Sequence, residues 1–444
     1  MSNGFGFGFN FPNNGDNGDK DRDGNNQDPF GGGLGDILGQ FGAMLSGMGS
    51  SMNSPDNSGP INTEMATRLA KQRLGTPKSV GPEDAKAVEQ SVRLVELWLN
   101  DSTALPASNN KVAAWNAADW LDNTLPMWSR LAGPVAEHAN SAQLDSLPEE
   151  AREMMGPMAQ MMKQFSGMNA AMQLGTSLGD LAKQALTGAD FGLPVSPAGT
   201  TAVVTTNVQS IASSIDVPDQ EVMVYIAARE AARQRLFTQV PWLVEHIVSS
   251  VEEYALGLEI DTSHIEEATR ELNLESGDPQ AIQDAMSRLQ GMDLTPRVTS
   301  RNAGATARLE TLLALVEGWV DVVVYEALKD RIKYTTELAA AWSRRTNSGG
   351  SADHALSRVV GIEITAPAVD TAAELWRRVT VAVGTEKRDK SWDHPDLLPD
   401  SEQLRNPASF IDGLLDDQPT DGFEEELAKL EEMLRSEDEE GKDS

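Results

Sequence analysis

Apolar residues recur at helical spacing through most of the middle of this chain. From Ala85 to Asn100, Val88, Val92, Val95 and Leu99 fall on one face behind Pro82, which predicts an amphipathic helix with a proline start. Helices are likewise expected from Glu221 to Arg235, led by Pro218 and stopped by Pro241, and from Leu243 to Leu256 and Asp261 to Leu272. Arg308 to Tyr325 is the most apolar helix, and another carries Leu375 and Trp376. Thr200 to Thr205 is β-branched and short, consistent with one strand between turns. Gly349-Gly350 reads as a loop and Trp392 to Pro399 as a turn segment. The predicted fold class is mainly α, with little β structure.

Side-chain types refine that picture. Trp115, Trp120 and Trp128 are expected in the core, each indole N–H needing a partner. The methionine-rich stretch from Met154 to Met172 reads as adaptable core filler rather than a binding groove. Gly175 and Gly179 have the spacing that lets two helices approach closely.

Both ends lack this patterning. Residues 1–60 hold Phe5, Phe7, Phe9 and Phe11 among Gly and Asn, then an Asn/Asp run and a Gly/Met segment, so a disordered arm is expected. From Asp400 onward there are 16 acids against 4 bases, the mark of a solvated acidic tail. Within residues 412–444, Phe423, Leu427, Leu430 and Leu434 align at helical spacing, supported by Glu425–Lys429 and Glu431–Arg435 pairs. Protein partners are expected at the arm and at this terminal helix. Residues 61–411 form the expected folded domain.

Composition removes several function classes. A net charge of −32 over 444 residues opposes binding to nucleic-acid phosphates. The absence of cysteine excludes disulfides, thiolate zinc sites and cysteine nucleophiles, and it fits a reducing, cytoplasmic setting. Neither a signal peptide nor an apolar run long enough to span a membrane is read from the sequence. Phosphate-binding loops and a serine-hydrolase elbow are missing too. His138, His246, His264, His354 and His394 are never four apart, so no helix offers a histidine pair to a metal.

Two helices carry the candidate chemistry. One runs through Tyr225, Arg229, Glu230 and Arg233 to Phe237; the other, from Leu309 to Asp321, places Glu317 and Asp321 one turn apart among apolar residues. An acid in such a segment is costly unless paired or bound to a cation, which makes Glu317 and Asp321 the best buried-carboxylate candidates.

Arg229 to Leu243 (REAARQRLFTQVPWL), Leu309 to Asp321 (LETLLALVEGWVD) and Trp392 to Pro399 (WDHPDLLP) resemble the actinobacterial zincin-like family, described as zinc-dependent metallopeptidases. The resemblance covers about Ile61 to Phe410 and implies a zincin-like helical domain. In a working zincin, a His-Glu-x-x-His helix supplies two zinc ligands and a glutamate base, with a third ligand from another helix. By that resemblance Glu230 takes the base position, Glu317 the third-ligand position and Asp321 an orienting position. Arg229 and Arg233 stand where both histidines would be. Guanidinium keeps its proton and has no lone pair for zinc.

Zinc is therefore implied by the resemblance but is not expected to bind. Either the arginines replace the metal and neutralise Glu230, Glu317 and Asp321, or they point to solvent from an amphipathic helix. The functional expectation is a degenerate zincin serving as a peptide-binding or scaffold protein. The alternatives are an active zinc peptidase that recruits His246 or His394, with His264 also available as a relocated ligand, and a carboxylate-only site for a hard cation.

Overall fold

The computed structural model describes residues 59–145, 156–261 and 297–416. The Phe-rich arm, Met154, Met155, His264, most of the expected 261–272 helix and the Phe423–Leu434 helix lie outside the described residues. The architecture is mainly helical, as the periodicity predicts.

Helices α1 (Thr63–Leu74) and α2 (Pro82–Leu99) precede strand β1 (Lys111–Trp115), and α3 (Ala117–Asp145) and α4 (Gly156–Ala182) follow it. Strand β2 (Thr200–Val204) then pairs in parallel with β1, from Lys111 opposite Thr200 to Trp115 opposite Val204. The β2 run is the β-branched stretch expected from sequence; β1 is an addition. Helices α5 (Thr205–Ala212), α6 (Asp219–Gln239) and α7 (Leu243–Leu256) come next. An antiparallel pair, β3 (Leu258–Asp261) and β4 (Arg297–Ser300), leads into α8 (Ala303–Leu328). Asp261 thus ends a strand rather than starting a helix, because Ile260 and Asp261 pair with Val298 and Arg297. The remainder is α9 (Thr335–Asn347), α10 (Ala352–Ala355) running into a π-helical turn at 356–360, α11 (Val369–Lys390), a 3₁₀ turn at 395–397, α12 (Ser401–Arg405) and α13 (Pro407–Asp416).

Helices α6 and α8 form the centre. Pro218 and the acids Asp219 and Glu221 suit the start of α6, where the helix dipole favours negative charge. Every residue of α6 from Val224 to Leu236 is buried, the charged ones included. Gln234 and Arg235 are buried with the rest, so the helix has no solvent-facing polar side here. Arg235 donates to the Glu96 carboxylate at 2.9 Å, to Leu105 O at 3.0 Å and to Asn100 Oδ1 at 2.9 Å, so its charge is satisfied inside the core. Helix α8 starts at Asn302, whose side chain caps Ala305 N at 3.1 Å, and packs against α6, α7 and α11.

Close approaches set the helix spacing. A Cβ on Gly318 would meet Ala372 Cβ and Ala373 N of α11 at 2.6 Å, and one on Gly175 of α4 would meet Ala66 O of α1 at 2.5 Å. The small-residue spacing in α4 therefore does what the sequence pattern suggests. Trp120 and Trp128 are fully buried, and Trp120 Nε1 donates to Thr187 O at 3.1 Å. A second charged knot lies at the end of α11. There Asp389 accepts from Trp319 Nε1 at 2.8 Å and Thr103 Oγ1 at 2.6 Å, beside the buried Arg388. No helix among the described residues is long and apolar enough to cross a membrane.

Candidate functional site

Residues four apart on α6 share a face, so Arg229 and Arg233 both point at α8. Arg229 Nη2 donates to Glu317 Oε2 at 2.9 Å, and its Nη1 donates to Asp321 Oδ1. Arg233 Nη2 reaches the same Glu317 Oε2 at 2.8 Å while its Nε takes Oε1. Both oxygens of Glu317 are thus held by guanidinium N–H groups in the forked geometry that suits a carboxylate. The two arginines are 1% and 0% exposed, so they do not point to solvent. Glu317 and Asp321 keep 14% and 32% side-chain exposure where they meet the cleft described below.

Helix α9 closes one side. The Trp342 ring centroid lies 4.3 Å from the Arg229 guanidinium carbon and 5.3 Å from that of Arg233. Arg229 Nε and Arg233 Nη1 are buried without a hydrogen-bond acceptor among the described residues, and the aromatic face beside them offers partial electrostatic compensation. Arg345, also on Trp342 at 5.0 Å, pairs with the buried Asp190.

The segment between α4 and β2 forms the other side. Gly192 has φ +72°, and a Cβ there would fall 2.9 Å from Glu317 Cγ; glycine supplies both the left-handed backbone and the room. Glu230 faces this same segment, away from the arginine cluster. It accepts from Ala189 N at 3.2 Å and Gln234 Nε2 at 3.0 Å. Arg229 and Arg233 hold Glu317 and Asp321, whereas Glu230 is held by neutral donors.

Charge states follow from these surroundings. Burial opposes ionisation of Glu317, but Arg233 and Arg229 outweigh it and hold the carboxyl below its usual range. Burial dominates at Glu230 and pushes it up, with Arg233 only partly offsetting. Asp321 is also raised by burial despite Arg229. Desolvation works against the Arg229 cation, yet Asp321 and neighbouring Tyr225 and Glu317 raise its pKa, so it stays charged.

Arg229, Glu317 and Asp321 floor a cleft of about 340 Å³ whose lining also includes Asp190, Trp342 and His354. Glu230 does not line it. His246 stands edge-on to Trp242 in a separate groove with Leu398 and Pro399. His394 is exposed and caps the 3₁₀ turn by accepting from Asp396 N at 3.3 Å. Neither is brought to Glu317. Sequence reasoning missed Trp342, Arg345, Asp190 and His354. They come from distant segments, and only the fold collects them.

A model of the zincin-like metallopeptidase family matches residues 61–411. The chain belongs to that zincin-like family. Among solved structures, a Chloroflexus aurantiacus protein described as a proposed hydrolase with a novel fold is similar at 17% identity and a TM-score of 0.56. That alignment covers 81% of this zincin-like chain and 99% of the other, and at such identity it shows a shared fold alone. No curated protein matches the chain.

Zinc is the metal the family name implies, and the residues gathered here do not suit it. A guanidinium cannot ligate, and it already occupies each oxygen of Glu317. His354, the histidine of the cleft, directs Nδ1 to Ser351 Oγ at 2.9 Å. Among the described residues no three His, Cys, Asp or Glu side chains converge as a metal would need. Glu230, Glu317 and Asp321 do not combine into the carboxylate-only site considered from sequence.

Proposed function

We propose that this zincin-like protein is a non-hydrolytic member of its family, whose cleft holds a peptide or protein segment without cutting it. The observation that carries this reading is the double capture of Glu317 by Arg229 and Arg233. Resemblance puts those arginines at the two zinc-ligand positions and Glu317 at the third. Permanent positive charge there supplies the electrostatic link between α6 and α8 that a metal would otherwise make. Glu230, at the base position, is fully buried and outside the cleft, where it serves to pin the 183–199 segment to α6. The Phe-rich arm and the Phe423, Leu427, Leu430, Leu434 face are the proposed recruitment surfaces for protein partners, in a cytoplasmic setting consistent with the lack of cysteine.

The family description favours a second reading, an active zinc peptidase with a non-standard site. The positions of His246 and His394 count against it, since neither lines the cleft.

The Arg229→His/Arg233→His double variant tests the assignment on which the first reading rests. Zinc titration by calorimetry should show the variant gaining about one site per chain, built on the new histidines and the freed Glu317. A folded double variant that acquires no zinc overturns the assignment of these positions.

A further inference from the structure

The cleft has more negative charge than its own cations neutralise. Arg229 and Arg233 are committed to Glu317 and one oxygen of Asp321, and Arg345 to Asp190. Asp353 and Asp370 also line the cleft and remain in excess. Asp353 meets His354 Nδ1 through Oδ2 at 3.2 Å, while its Oδ1 is buried with no hydrogen-bond partner among the described residues. Asp370 has no ion-pair or side-chain hydrogen-bond partner among the described residues; at the start of α11 it also suits the helix dipole. Asp370 is exposed and the Asp353 side chain is 13% exposed, so both carboxylates present negative charge that a cation entering the cleft can meet.

We propose that the cleft takes the lysine or arginine side chain of a basic peptide segment. The acids are spread along the wall and do not converge, so a compact divalent ion finds no cage among the described residues. A cation on a flexible stem can reach them singly. The same cleft offers the half-buried Pro367 and Val369 as an apolar surface for that stem, matching a side chain with a long methylene body and a charged tip. A space of about 340 Å³ is at the small end for ligand pockets and admits one or two side chains. This inference rests on the non-hydrolytic reading and names the ligand class for that same site.

The whole chain carries −32, so diffuse attraction of basic peptides must be separated from binding in the cleft. Fluorescence anisotropy with a capped, fluorescein-labelled pentapeptide containing two lysines, at about 0.15 M salt, provides the test. The lysine peptide should bind about tenfold more tightly than its norleucine counterpart. Asp353→Asn/Asp370→Asn should weaken it by about tenfold, and by severalfold as Asp370→Asn alone if the double variant melts early. Glu386→Gln/Asp396→Asn, altering exposed acids away from the cleft, should change it by less than about twofold. Equal binding of the norleucine peptide, or equal losses in both double variants, overturns the inference and leaves the non-hydrolytic reading standing. Hydrolysis of the lysine peptide together with stoichiometric zinc would instead defeat the non-hydrolytic reading, whatever the charge preference.

Discussion

Burial opposes ionisation of both Glu230, in the core, and Glu317, at the cleft floor, yet their pKa values shift in opposite directions because only Glu317 is bonded by cations. The sequence marks Arg229, Arg233, Glu317 and Asp321 through i,i+4 spacing and the cost of acids in apolar helices. It does not show that Glu230, one position round α6, faces neutral donors. That depends on the 183–199 segment, whose path no periodicity reveals. The consequence for stability has a definite sign. Glu230 has a folded-state pKa above the unfolded value of about 4.3, so its contribution is complete below that pH and is lost as pH rises through the folded value. Glu317 behaves oppositely: its contribution is present above about 4.3 and lost as pH falls through the depressed value. Thermal melts of Glu230→Gln between pH 4 and 8 should therefore shift in favour of the variant, relative to the native chain, as pH rises. A difference constant across that range contradicts the assigned environment.

At the scale of elements, amphipathic helices were the most legible. The apolar faces of α2 and α7 follow directly from their spacing, and Pro82, Pro218 and Pro241 mark real boundaries. The central pair was harder to read. Helix α6 carries arginines that the sequence leaves free to face either solvent or buried acids, and the carboxylates of α8 and α2 make their burial tolerable. Strand β1 is five residues long, and its partner is about ninety residues away, so no local signal announces it. Where α8 crosses α11, contact depends on Gly318. Gly318→Ala gains helix propensity of about 1 kcal/mol. It also drives a methyl to within 2.6 Å of Ala372 Cβ and the Ala373 backbone, a clash that only movement of the helices relieves. Urea unfolding should register a net loss of about 1–3 kcal/mol. An unchanged or higher midpoint would mean that α8 and α11 are not held this close.

For the whole molecule, the family match spans residues 61–411 and the described structure within it is predominantly helical, as the sequence patterning predicts. Charge sets this chain's individual character. Guanidinium groups of Arg229 and Arg233 join its two central helices through ion pairs to Glu317, and on the proposed reading they stand where lone-pair donors would hold a metal. Breaking such a buried pair from one side costs about 3–5 kcal/mol, so the arrangement contributes to the fold as well as shaping the cleft. The most direct test is elemental analysis of the purified native chain after exposure to zinc and gel filtration. The account predicts zinc well below stoichiometry and an unfolding transition unmoved by chelator. One zinc per chain, with a melting temperature that falls when the chelator removes it, would contradict the account.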